Sequence, residues 1–223
     1  MGSASDRPAA PAAVSTLFPN DGKAINQYVD ILISTGTARG LIGPREVPRI
    51  WDRHILNCAV VGPLLSPCAG VCDVGSGAGL PGLVLAIGRR DLHVTLVEPL
   101  LRRVRFLHEV VASLDLDNVE VVRTRAEELA GSRAFDVVTA RAVAPLARLA
   151  GWCLPLCRPG GELLALKGAN AAAELDAAHD PLQRMNAGPT RIETVGDGVV
   201  SPPTQVVRIE SGAPAGAGTK GSA

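Results

Sequence analysis

Aromatic residues are scarce in this chain. Two Trp, one Tyr and three Phe make up 3% of its 223 residues. A protein that grips a long single strand stacks successive bases on aromatic side chains, so an extended platform of that kind is excluded. Lysine is almost missing as well. Only Lys23, Lys167 and Lys220 occur, and the other 19 of the 22 basic residues are arginines. An excess of either charge is also lacking, with 22 basic residues balanced by 22 acidic ones. Net charge therefore gives no sign of a nucleic-acid partner. No apolar run reaches the roughly 18 residues a membrane span needs. The first residues hold no basic stretch followed by an apolar one, so no signal peptide is expected. Asp6 spoils the acylation pattern after Gly2. The five cysteines (58, 68, 72, 153 and 157) are odd in number and lack zinc-ligand spacing, so no metal site is expected. Cys153 and Cys157 fall on one face of a predicted helix. Core thiols in a reducing cytoplasm are the expectation.

Glycine is what the chain has at one decisive place. The stretch Val71-Cys72-Asp73-Val74-Gly75-Ser76-Gly77-Ala78-Gly79-Leu80-Pro81-Gly82 follows an apolar run and precedes another. It reads as strand, glycine turn, helix. Glycines let such a turn close sharply and let backbone approach a ligand. Gly77, Gly79 and Gly82 satisfy the dinucleotide pattern, with Glu98 about 20 residues on, where a ribose acid belongs. The run Asp-x-Gly-x-Gly-x-Gly equally resembles motif I of class I S-adenosylmethionine (SAM) methyltransferases. This stretch alone leaves the ligand open, and a purely structural turn is the bland alternative.

Around it the chain alternates. Residues 1–18, rich in Ala, Pro and Ser, read as a flexible tail. Residues 19–66 carry two helices, about 21–35 and 48–65, which form an N-terminal helical cap. Strands are predicted near 70–74, 92–98, 119–122, 135–140 and 162–166. Helices near 80–90, 100–115, 126–129, 145–157 and 171–179 separate or follow them. Residues 191–195 and 204–209 read as a closing hairpin, and 211–223 as a disordered tail. Alternation of this kind specifies an α/β fold, a mostly parallel sheet covered on both faces, here spanning 67–210. The last two strands lack a helix between them, so the final strand should run antiparallel. That ending suits a Rossmann-like methyltransferase core. A dehydrogenase would continue into another βαβ unit or a substrate domain.

Four stretches together are more selective than the fold. They are Arg49-Ile50-Trp51-Asp52-Arg53-His54-Ile55-Leu56; the glycine block through Leu83; Leu96-Val97-Glu98-Pro99 with Arg102-Arg103-Val104-Arg105-Phe106-Leu107; and Arg123-Thr124-Arg125-Ala126-Glu127-Glu128 followed by Val138-Thr139-Ala140-Arg141-Ala142 and Leu164-Ala165-Leu166-Lys167-Gly168. In order and spacing, residues 20–210 resemble the glucose-inhibited division protein B family. Glu98-Pro99 stands where many relatives have Asp-Ser, and Arg102 where lysine is usual. The resemblance implies transfer of a methyl group from SAM to N7 of a guanine in 16S rRNA, within the small ribosomal subunit. It also implies a cytoplasmic protein, taken here as a monomer, whose loss alters sensitivity to streptomycin-type aminoglycosides.

Carried over residue by residue, the resemblance implies that Gly75, Gly77 and Leu80 line the SAM pocket. Glu98 would accept the ribose hydroxyls, Ala126 and Glu127 would lie at the adenine end, and Arg141 would face the cofactor and the reaction centre. Arg53, His54, Arg103, Arg125 and Lys167 are candidates to hold rRNA. For each of these cations a solvated or salt-bridged role is the alternative, and for His54 a hydrogen-bonded core position. Guanine N7 attacks through an in-plane lone pair and needs no general base. The signature of exocyclic-amine methyltransferases is absent, and Cys153 and Cys157 are poor candidates for a nucleophile. Two other classes remain open: an NAD-dependent oxidoreductase, and a non-catalytic ribosome-assembly factor on the same fold.

Overall fold

The protein is described by a computed structural model over residues 7–212. Seven strands form one sheet in the order β3-β2-β1-β4-β5-β7-β6. These are β1 Gly70–Val74, β2 His93–Val97, β3 Val119–Val122, β4 Phe135–Arg141, β5 Cys157–Lys167, β6 Thr190–Val195 and β7 Thr204–Glu210. The first five run parallel, as their pairings β1–β2, β1–β4, β2–β3 and β4–β5 require. Strand β7 inserts antiparallel between β5 and β6, as a helix-free connection demands. Val71, Cys72, Asp73 and Val74 are all buried, the signature of a central parallel strand covered on both faces.

Among the described residues eight α-helical segments surround the sheet: α1 Ala13–Leu17, α2 Gly22–Ile31, α3 Asn57–Ala59, α4 Gly82–Gly88, α5 Leu101–Ser113, α6 Ala126–Leu129, α7 Leu146–Cys153 and α8 Ala171–Arg184. One core layer joins residues of α2, α4 and α5 to the sheet. The other joins α6, α7 and α8 to its opposite face. Chain order reverses direction across the sheet between β1 and β4. The crevice above that point, at the carboxyl ends of the strands, is where ligands bind in open α/β sheets.

Three sequence expectations are corrected. The composition of residues 1–18 predicts a flexible tail, yet 7–18 pack onto the cap, while 1–6 lie outside the described residues. Val14 and Phe18 are buried, the Trp51 Nε1–H donates to the Pro8 carbonyl at 3.1 Å, and Arg7 pairs with Asp30. Gly88 permits this docking, because a Cβ there would lie 3.1 Å from the Phe18 ring. The second cap helix is not one α-helix. It runs as a 3₁₀ turn over Pro44–Arg49, a π-helical segment over Ile50–Leu56, α3, and a 3₁₀ turn over Gly62–Leu64. Pro44, Pro48 and Pro63 withhold the N–H donors a continuous helix would need. Finally, Cys157 begins β5 instead of ending a helix, and Arg158-Pro159-Gly160-Gly161 forms an irregularity within that strand. Gly160 adopts φ +76° there. The expected tail at 211–223 lies outside the described residues beyond position 212.

Candidate active site

The glycine turn is fixed from three sides. Gly75 and Ser76 N–H groups donate to the Val97 carbonyl at 2.9 and 3.2 Å, tying the turn to the end of β2. Beneath it, Asp73 is fully buried, and its Oδ2 accepts the Gly82 N–H at 3.0 Å. From the cap, the Tyr28 hydroxyl donates to the Ala78 carbonyl at 2.7 Å. Gly75, Gly77 and Gly79 take φ of +70°, +59° and +97°, a region L side chains enter only at a cost.

Burial pushes the Asp73 carboxyl up to about 7, against the Gly82 hydrogen bond and the nearby Ser76 hydroxyl, which pull it down. Its Oδ1 has no hydrogen-bond partner among the described residues. Glu98 follows β2 and is 1% exposed. Its Oε2 accepts the Gly77 N–H at 3.0 Å and the Arg103 guanidinium at 3.4 Å, and its Oε1 accepts the Leu100 N–H at 3.0 Å. Glu98 thus bridges the glycine turn to the start of α5.

Above these groups lies a cavity of about 610 Å³. Gly75, Gly77, Leu80, Glu98, Ala126, Glu127 and Arg141 all line it, as do His54, Arg103 and Arg125. Val97, Leu100, Leu41 and Ile42 give it apolar walls. Trp152 closes part of another, with the Arg148 guanidinium 4.8 Å from its ring centroid. A second cleft of about 1120 Å³ adjoins the first. Arg49, Arg53, Asn57, Lys167 and residues 201–205, which lead into β7, line it. The two share His54, Arg141, Ala142 and Val143.

Arg141 ends β4. Ala142 immediately after it is left-handed, at φ 55°, a strained conformation for a residue with a Cβ and one that clusters at functional sites. Both arms of the guanidinium are held by the π-helical segment. Nη1 donates to the Arg53 carbonyl and Nη2 to His54 Nδ1, each at 3.0 Å. His54 Nε2 lies 3.0 Å from Glu46 Oε2. Burial, and next the adjacent Arg141 cation, hold the imidazole below its ordinary value.

Of the five candidates for RNA, Arg53 and Arg125 are exposed. Arg53 pairs with Glu46 at 3.3 Å. Arg103 faces Glu98 inside the first cavity. The Lys167 side chain is 8% exposed, and its ammonium is committed to Glu174 at 2.7 Å and to the Ala144 carbonyl at 2.9 Å. It holds the wall of the second cleft together instead of standing out as a phosphate clamp. Sequence reasoning assigned neither Tyr28 nor Glu46 a role at the site. Nothing in the local pattern around either residue marks its partner. Among the described residues no group of three His, Cys, Asp or Glu could hold a metal ion. Burial raises the Cys58 thiol to about 11 and pushes Cys72, Cys153 and Cys157 up as well, which leaves them poor nucleophiles.

The donor set fits an adenosyl cofactor better than a dinucleotide. A pyrophosphate needs free amides at a helix start. Here the Gly82 amide at the start of α4 is already taken by the Asp73 side chain. An adenosine needs a diol acceptor and an apolar slot, and Glu98 and the walls around Ala126 offer both. Gly75 keeps this part of the turn free of a side chain, and a Cβ there would crowd the Val143 side chain at 3.0 Å.

Comparison with known proteins agrees with this geometry. The family described as GidB, rRNA small subunit methyltransferase G, matches residues 21–200. The chain is 54% identical over 213 residues to ribosomal RNA small subunit methyltransferase G of Streptomyces coelicolor, covering 95% of this chain and 89% of that one. It is 56% identical over 197 residues to the protein of the same name from Thermobifida fusca, covering 88% and 83%. Among solved structures, a ribosomal protein L11 methylase from Lactobacillus delbrueckii subsp. bulgaricus superposes with a TM-score of 0.53 at 15% identity, over 71% of this chain and 77% of that one. A methyltransferase from Pyrococcus furiosus gives 0.52 at 13% identity, over 69% and 80%. At such identities these two speak for the fold alone: a class I, Rossmann-like methyltransferase core. The match over most of the chain, together with relatives above half identity, establishes that this protein belongs to the rRNA small subunit methyltransferase G family.

Proposed function

We propose that this chain transfers a methyl group from SAM to N7 of a guanine in 16S rRNA, acting as a monomer on the small ribosomal subunit. The observation that carries the reading is the junction of the two clefts at Arg141 and His54. One cleft fits the cofactor, and the other opens beside it toward Arg49 and Arg53 for the nucleotide. When bound, SAM supplies a methyl group on a sulfonium centre, ready for an in-plane nitrogen lone pair.

The chain's own residues position the partners. Glu98 accepts the ribose hydroxyls, the bare glycine turn admits the amino-acid end, and Ala126 and Glu127 border the base. Arg141 offers donors to an oxygen of the target nucleotide. No free base stands at the junction, because His54 Nδ1 already accepts from Arg141 and its other nitrogen faces Glu46. An N7 lone pair has no proton to lose, so the site suits that nucleophile. Holding nucleophile and methyl in line can supply about 7–11 kcal/mol of barrier reduction. The exposed arginines Arg53 and Arg125, with Arg49, furnish the phosphate contacts.

Incubation with labelled SAM and small subunits lacking the modification tests the reading. Label on guanine N7 is expected. RNA binding without transfer would favour an assembly factor, and NAD binding in place of SAM an oxidoreductase. Glu98→Ala should weaken SAM binding about tenfold or more, since hydrogen bonds to a charged acceptor are worth about 1.5–3 kcal/mol each. Calorimetric titration reads this directly, and an unchanged Kd would remove Glu98 from the ribose.

A further inference from the structure

The geometry points to His54 as a positioning residue: its Nδ1 lone pair orients the Arg141 guanidinium at the junction of the clefts, with Glu46 fixing the ring from behind. This rests on the reading of Arg141 given above and assigns His54 a task other than touching RNA.

An arginine cannot lose its proton in a protein, so Nη2 must be the donor and Nδ1 the acceptor. That fixes the tautomer. The proton sits on Nε2 and donates to Glu46 Oε2 at 3.0 Å. The imidazole is therefore neutral and held at both nitrogens, in a side chain only 12% exposed. The charged groups facing it are Glu46 from the 3₁₀ turn, Arg53 next along its own segment, and Arg141 from β4. Burial and the Arg141 cation both oppose a charge on the ring, which keeps the acceptor in place. A guanidinium on a flexible stem has many rotamers. Here its two arms are clamped, by the Arg53 carbonyl on one side and by His54 on the other. The π-helical turn over Ile50–Leu56 sets both acceptors toward the same fork, and such turns recur at functional sites.

Two substitutions separate this role from simple packing. Asparagine places its amide oxygen where Nδ1 stands and can still accept from Arg141. Glutamine reaches the Nε2 position and keeps the contact to Glu46 but offers Arg141 no acceptor. His54→Gln should lower kcat about 10²-fold, the scale of a misplaced reactive geometry, while the SAM Kd moves less than about threefold. His54→Asn should retain at least about ten times the kcat of His54→Gln. A packing role predicts no such ordering, and equal kcat values for the two variants would overturn the proposal.

Arg141→Ala, assayed in parallel, keeps the two readings apart. If it transfers at the wild-type rate, the role of Arg141 fails and the positioning role with it. If it is inactive while His54→Gln matches wild type, only the positioning role fails. Where His54→Gln does not fold, Glu46→Ala serves instead, because it frees the ring to turn. A fall in kcat of about threefold is expected of it, and an unchanged kcat overturns the proposal.

Discussion

Replacing Arg141 with alanine should yield a folded protein that still binds SAM yet transfers methyl groups about 10²–10³-fold more slowly, the usual cost of losing one preorganised donor. The side chain sits where the two clefts meet, and no other residue there pairs a fixed cation with two clamped donor arms. Stability should fall as well, because two hydrogen bonds of about 0.5–1.5 kcal/mol each tie β4 to the cap through this residue. Single-turnover transfer to guanine N7, measured beside a melting curve, separates the two effects. Arg141→Lys keeps the charge but not the fork, and should fall between alanine and wild type. An alanine variant at the wild-type rate would remove Arg141 from the reaction.

Gly82→Ala should be far more damaging than Gly77→Ala, although Gly82 is not left-handed. A Cβ there would stand 2.3 Å from Leu96 Cδ2, 2.7 Å from Asp73 Oδ2 and 2.9 Å from Asp73 Cβ, all buried and rigid. Relief requires moving α4 off β1, which breaks the Gly82 N–H bond to Asp73 and unseats the turn. Overpacking a tight core costs about 3 kcal/mol at its upper range, which in a chain of this size lowers Tm by about 6–12 °C. SAM binding should be lost with it. Gly77→Ala is the control. Its Cβ would meet only the Gly75 carbonyl, at 3.7 Å, so the left-handed backbone alone applies, at about 1–2 kcal/mol. A melting curve that ranks Gly77→Ala as the worse of the two would refute the packing account.

The parallel core was legible because its strands are buried on both faces and their apolar runs are bounded by turn residues. The cavity's lining was legible for the same reason: Gly75, Glu98, Ala126 and Arg141 each follow or end a strand, and strand ends converge above the sheet. The cap was harder to read. Pro48 signals the first turn of a helix, but with Pro44 and Pro63 nearby it yields 3₁₀ and π turns instead, and periodicity has no template for those. The segment 7–18 has the composition of a tail, yet two anchors, Val14 and Phe18, suffice to seat it in a groove left by Gly88. Arg141 stands 87 residues from His54 along the chain, and no local pattern announces that one clamps the other. Lys167 shows the converse. Its positive charge makes it a candidate to hold rRNA, while Glu174, seven residues on, has already claimed that charge.

The two indoles occupy very different surroundings. Trp51 is 3% exposed with its Nε1–H bonded to the Pro8 carbonyl of the segment that packs onto the cap, whereas Trp152 forms part of the wall against which an adenosyl group would rest. Ultraviolet emission from this chain should therefore divide into a constant background and a component quenched as the cavity fills. The scarcity of aromatics makes that signal clean, and occupancy can be followed by intrinsic fluorescence with no label attached.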